Sequence, residues 1–94
     1  MTMNVTDNPA KSRFELAVGD TTAFAAYHLQ DGTVVFVHTE VPESLSGQGI
    51  GSALARGALD IARARGMGVV ARCPFIAAFI RRHPEYQDLL AGES

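Results

Sequence analysis

Apolar positions first recur every second residue along this chain, and later every third or fourth. In residues 12–18, Phe14, Leu16 and Val18 alternate with Arg13 and Glu15, the pattern of a strand with one buried face. Gly19-Asp20 suits a two-residue hairpin turn, and a second strand-like run fills residues 21–30. Asp31-Gly32 is a stronger turn signal, because a type I′ turn needs φ > 0 at both central positions. Residues 33–41 complete an antiparallel three-strand meander. With an unbroken register, Phe14, Leu16, Ala23, Ala25, Tyr27, Leu29, Phe36, His38 and Glu40 share one face. Phe24, Ala26, His28, Val35, Val37, Thr39 and Val41 share the other. The third strand is apolar on both faces at its centre, so it should be covered on both sides.

From residue 50 the period changes. Ile50, Leu54, Ala58 and Ile61 form a stripe opposite Ser52, Arg56, Asp60 and Arg63, which predicts a helix over 50–65. The small residues Ala53, Gly57 and Ala64 allow it to lie close to the sheet, and Gly66 stops it. Residues 67–72 read as a short buried strand. A strand–helix–strand passage makes it parallel to residues 33–41, with a right-handed crossover. Pro74 opens a second helix, with Phe75, Ile76, Phe79 and Ile80 as its apolar side and Arg81-Arg82 at its C-terminal end. Pro84 ends that helix, and a short last one over 84–90 packs Tyr86, Leu89 and Leu90. Residues 1–11 are polar, contain Asn8-Pro9 and lack a period, so they read as a flexible N-terminal arm. Residues 12–94 then make a single domain of α/β class, with a mixed sheet and the order β-β-β-α-β-α-α.

Ninety-four residues, 47% of them hydrophobic, are enough for one modest core. No apolar run approaches the ~20 residues of a membrane span, no signal peptide is evident, and one cysteine cannot form an internal disulfide. The expectation is a soluble cytoplasmic protein, a monomer or weak homodimer. A formal charge of −2 speaks against a nucleic-acid partner. Its distribution is more telling. Residues 1–47 hold Lys11 and Arg13 against six carboxylates, whereas residues 48–94 hold six arginines against four. An anionic ligand is favoured in the second half and a cationic amine in the first. Three histidines and one cysteine without ligand-like spacing predict no metal.

Residues 45–54, Leu45-Ser46-Gly47-Gln48-Gly49-Ile50-Gly51-Ser52-Ala53-Leu54, carry the strongest chemical signal. Three glycines at alternate positions remove three Cβ atoms from one side of a turn, and a bulky anion can then approach the backbone. The helix that begins there presents N–H groups without intrahelical partners at the positive end of its dipole. The plainer reading is a loop that needs φ > 0. The glycine spacing does not match a Walker loop, and three strands precede it, unlike a dinucleotide-binding fold. Cys73 falls at the N-cap of the second helix, where the dipole lowers a thiol pKa, although a lone cysteine also fits as a small buried hydrophobe. His38 and Glu40 stand on one face just before the loop. Either can take the proton from an ammonium of pKa about 10, while His38 also fits as a core residue beside Phe36.

Ser46-Gly47-Gln48-Gly49-Ile50-Gly51 resembles the acyl-CoA pyrophosphate loop of the GNAT N-acetyltransferase superfamily, written Gln/Arg-x-x-Gly-x-Gly/Ala. Ser46 departs from it at the first position. Cys73-Pro74-Phe75 and Arg82-His83-Pro84-Glu85-Tyr86 resemble a small single-domain GNAT-like branch with His-Thr before the loop and Cys-Pro-aromatic after it. The resemblance runs from about residue 33 to residue 90 and implies acetyl-CoA as cosubstrate. It implies that backbone groups of Thr39 and Val41 meet the pantetheine arm, with the Val41 N–H polarising the thioester carbonyl. The backbone of Gly47, Gln48, Gly49, Ile50 and Gly51, with the Ser52 hydroxyl, would hold the pyrophosphate. Arg56 or Arg81-Arg82 would meet the remaining phosphate. Cys73 would lie near the thioester. Many members carry a tyrosine acid for the leaving thiolate. Ile80 and Arg81 stand in that region here, with Tyr86 the only nearby substitute. The expected activity is acetyl transfer to an amine, of a small molecule or a protein lysine, directly or through Cys73, with Glu40 or His38 as base. The alternatives are an acetyl-CoA-binding module without turnover and an α/β interaction domain without a ligand.

Overall fold

A computed structural model describes residues 4–45 and 47–90. It contains a five-stranded sheet of order β1-β2-β3-β4-β5, formed by β1 (Thr6–Asn8), β2 (Arg13–Val18), β3 (Thr21–Gln30), β4 (Thr33–Glu40) and β5 (Gly68–Ala71). The first four strands pair antiparallel, and β5 runs parallel to β4. Helix α1 (Ile50–Ala64) makes the crossover between them, and α2 (Pro74–Arg82) follows β5. The mixed α/β class is as the periodicity predicts. Asp31 and Gly32 both take positive φ, 53° and 76°, as a type I′ hairpin requires. At the end of α1, Met67 N–H donates to the Ala62 carbonyl and Gly66 N–H to that of Arg63, the paired bonds of a Schellman stop with Gly66 left-handed.

Part of the flexible arm expected for residues 1–11 is structured instead; residues 1–3 of that arm lie outside the described residues. Residues 6–8 form the edge strand β1, and Pro9–Lys11 make a 3-10 turn. Val5 and Asp7 explain the docking, and neither has a periodic signature. Val5 rests on α1 at Gly57, where a Cβ would fall 2.6 Å from the Val5 Cβ. Tyr27, buried on β3, donates its hydroxyl proton to Asp7 Oδ1 at 2.5 Å, and Arg65 donates to Asp7 Oδ2 at 2.7 Å. One carboxylate thus ties β1 to the sheet and to the end of α1.

The register is also broken. Ala26 pairs with His38, but Tyr27 pairs with Phe36, so Val37 is an extra residue in β4. A one-residue slip moves every later side chain to the opposite face. Thr39, opposite Ala25, therefore joins the core-facing side, and His38 and Glu40 leave it, correcting the unbroken register. Cover on both faces of β4 holds at Val35, which is buried, but not at Val37, which is 43% exposed.

The core lies between the sheet face bearing Phe14, Leu16, Ala23, Ala25 and Phe36 and the helices. Helix α1 contributes Ile50, Leu54, Ala55, Ala58, Leu59 and Ala62, a broader stripe than predicted, while Ala64 is exposed. The last segment, Pro84–Leu89, is 3-10 rather than α-helical. It docks on α1 through Tyr86, whose hydroxyl donates to Asp60, and through Arg63, which donates twice to Asp88 and once to the Glu85 carbonyl.

Alanine at an exposed helical glycine adds about 1 kcal/mol of stability. Gly57→Ala is expected to gain none of this in urea denaturation, because its Cβ displaces Val5; combined with Val5→Ala, the gain returns. A second expectation concerns pH. Burial, followed by the adjacent Asp7 acceptor, pushes the Tyr27 phenol up to about 12. The unfolded chain loses that proton near pH 10, so between the two values the folded state binds more protons and stability falls as pH rises. Tyr27→Phe should flatten this alkaline decline, by an amount on the order of 2 kcal/mol, in urea titrations from pH 9 to 12.

Candidate functional site

Strands β4 and β5 stay paired only as far as Phe36 and Ala71. There the Phe36 carbonyl accepts two N–H bonds, from Arg72 and from Cys73, each at 3.0 Å. The chain thus stops stepping along β4 and turns into α2, with Cys73 as N-cap (φ −81°, ψ 123°) and Pro74 as first helical residue. Cys73 is 3% exposed. Its Sγ lies 3.2 Å from the Thr39 hydroxyl, which reaches over from the unpaired end of β4. His38 and Glu40 are brought together elsewhere. His38 Nε2 is 3.2 Å from Glu40 Oε1, both side chains are well exposed, and both lie on the outer sheet face, where the Phe24 ring also neighbours His38. The two base candidates and the thiol thus stand on opposite sides of the sheet.

After β4 the chain makes a 3-10 turn, Glu43–Leu45, and reaches the glycine segment. Ser46, the first motif position, lies outside the described residues. Gly47 and Gly49 take φ of 81° and 72°, the left-handed region that side chains with a Cβ rarely occupy. Gly49 is the N-cap of α1 and supplies no side-chain cap. The first bond into the helix is from Ala53 N–H to the Gly49 carbonyl at 3.0 Å. Ahead of it, the N–H groups of Ile50, Gly51 and Ser52 have no acceptor among the described residues. They border a hollow of about 250 Å³ lined by Val41, Leu45, Gly47, Gly49, Ile50, Gly51, Ser52 and Phe75.

Six of the eight expected ligand-binding residues therefore gather around one space. Thr39 points to Cys73 instead, and the Gln48 side chain donates to the Ser44 carbonyl. Leu45 and Phe75 complete the wall without having been singled out. Phe75 reads by period as part of the apolar side of α2, yet it is 40% exposed. A signal for it existed in Gly51: a Cβ there would fall 2.7 Å from the tip of the Phe75 ring. The absence of a side chain at position 51 lets the first turns of α1 and α2 meet.

The other polar candidates are already engaged or lie apart. Arg56 donates to the Tyr86 hydroxyl and pairs with Glu85 at 3.6 Å. Tyr86 itself donates to Asp60 at 2.7 Å, and burial first, then this bond, raises its pKa. The phenol is committed to α1. Arg81 and Arg82 are exposed at the C-terminal end of α2. A second hollow, about 260 Å³, is bounded by Ala71, Ala77, Ile80, Arg81 and Leu90; Arg81 is the one candidate residue on it. Among the described residues no group of three or more His, Cys, Asp or Glu has metal-binding proximity, and no helix is long and apolar enough to cross a membrane.

A Staphylococcus aureus protein described as GCN5-like, solved by NMR in solution, superposes with a TM-score of 0.72 over 98% of this chain and 91% of its own. The two share 22% identity, so the likeness shows a common fold. The family model for GCN5-related N-acetyl-transferases matches residues 13–89, from the start of β2 to the end of the last 3-10 turn and across the whole candidate site. By that match, the chain belongs to the GCN5-related N-acetyltransferase family.

Proposed function

We propose that this protein transfers an acetyl group from acetyl-CoA to an amine, with the hollow at the entrance of α1 as the diphosphate site. The observation that carries this reading is the set of N–H groups of Ile50, Gly51 and Ser52, without an acceptor among the described residues, opening on one hollow at a helix start with no side-chain cap. Such donors, aided by the helix dipole, suit a phosphate-bearing ligand. Gly47 and Gly49 keep side chains out of its approach, and the Ser52 hydroxyl adds a donor. Val41, on the same hollow, is the candidate to donate its N–H to the acyl carbonyl oxygen.

Bound there, the cosubstrate supplies an acetyl group activated as a thioester. Cys73 is the candidate to receive it. Its thiol proton leaves to solvent, Sγ bonds to the acyl carbon, and the bond from that carbon to the CoA sulfur breaks. The departing sulfur takes up a proton, so one thioester replaces another. An acceptor amine then bonds to the acyl carbon and loses a proton, and Sγ departs and regains its own. Exposed His38 and Glu40, in the acidic half of the chain, suit recognition or deprotonation of a cationic acceptor.

A second reading, an acetyl-CoA-binding module without turnover, is favoured by one observation. Tyr86 is bonded to Asp60, and both base candidates lie across the sheet from Cys73, so no acid or base side chain touches the thiol among the described residues.

Intact-mass measurement after incubation with acetyl-CoA alone separates the two. One acetyl adduct, absent in Cys73→Ser, is the expected result. Binding without adduct, and without CoA release across a panel of amines, identifies the module. The hollow has its own test. Gly51→Val adds a side chain at a position of ordinary helical φ, against the movable tip of Phe75. Calorimetry should find CoA affinity lowered about tenfold or more, with the unfolding midpoint nearly unchanged. Unchanged affinity would place the ligand elsewhere.

A further inference from the structure

The contact between Thr39 and Cys73 has no part in the reading given so far, in which Thr39 contributed backbone groups alone. We propose that Thr39 is a positioning residue, its hydroxyl donating a hydrogen bond to the Cys73 sulfur and holding that sulfur as a nucleophile. The inference rests on the reading of Cys73 as acetyl acceptor.

Three features carry it. Oγ1 lies 3.2 Å from Sγ, within reach for a bond to sulfur, across 34 positions of sequence. The hydroxyl gets there only because Val37 is inserted in β4; in the unbroken register the same position would face outward. Valine would fill the position with the same shape and suits a strand better, so packing alone gives no reason for a hydroxyl.

Chemistry supplies the reason. The sulfur is 3% exposed, and a thiolate withdrawn from water is costly unless a donor meets it. An O–H bond to an anion is about twice as strong as one between neutral groups, so Thr39 favours the thiolate over the thiol. Charged groups nearby do not take over this task. Arg72, beside Cys73, is exposed; His38 and Glu40, beside Thr39, pair with each other on the outer face; Asp60 and Arg56 of α1 are bonded to Tyr86. Arg81 and Arg82 lie at the far end of α2.

The test uses Thr39→Val and Thr39→Ser in the full chain. Because Cys73 is the single cysteine, thiolate ultraviolet absorbance reports on it alone once the tyrosine background is subtracted with Cys73→Ser. The midpoint in Thr39→Val should lie above that of the parent by about half a pH unit or more, and Thr39→Ser should restore it. With acetyl-CoA, the adduct should form about tenfold more slowly in Thr39→Val at pH 7, with CoA affinity by calorimetry unchanged. Equal midpoints in Thr39→Val and the parent, or a serine variant that behaves as valine does, overturn the proposal. A parent protein that binds no CoA and takes no adduct would instead end the acetyl-transfer reading, and the titration would still decide whether the hydroxyl governs the sulfur.

Discussion

One inserted residue in β4 governs how chemistry is distributed over this protein. Hydrogen bonds on the β3 side force the strand to count in twos, and Val37 breaks the count. Everything from His38 onward is turned over. Thr39 meets Cys73 across the place where β4 and β5 part, and His38 and Glu40 are sent to the solvent side of the sheet. The parting is set by the Phe36 carbonyl, which holds two successive amides of the turning chain. Neither device involves a charged side chain. Strand geometry alone separates the thiol from the two titratable groups that flank Thr39 on β4.

The glycine segment works through omission in the same way. A helix start is usually completed by a side chain that accepts from its first N–H groups. Here Gly49 occupies that position and offers no side chain, and the donors of Ile50, Gly51 and Ser52 meet no acceptor among the described residues. Those groups contribute less to the stability of α1 than a serine or aspartate cap would. The helix is secured at its opposite end instead, by the Schellman bonds around Gly66 and the Arg65–Asp7 pair. Firm anchoring at one end allows the other to remain incomplete, and the incomplete end is where a ligand has something to bind.

Much of this could be read directly from the residues. Alternation in residues 12–18, the Asp31-Gly32 turn and the stripe from Ile50 gave the order of elements, since each is a local pattern with a local cause. Placing Val41 beside the glycines was what the resemblance to the GNAT loop implied. Other features had no local mark. The bulge at Val37 adds one more apolar residue to a run already apolar on both faces, so nothing in the pattern marks it and the faces expected for His38, Thr39 and Glu40 are reversed. β1 has no local mark because Asp7 is held by Tyr27 and Arg65, and Val5 just before the strand by Gly57, all distant in sequence. Phe75 looked like core because periodicity assigns a side to a residue but not the depth to which it is buried.

The meeting of Gly51 with the Phe75 ring joins two helices that are separate in sequence through a single missing carbon. The two positions are therefore not free to vary alone. A homologue with alanine at the first must accept a smaller or turned-away residue at the second, and one that keeps the aromatic ring where it stands here must keep the glycine. Substitutions at these sites should covary, and the shape of the hollow beside them would be inherited as a pair.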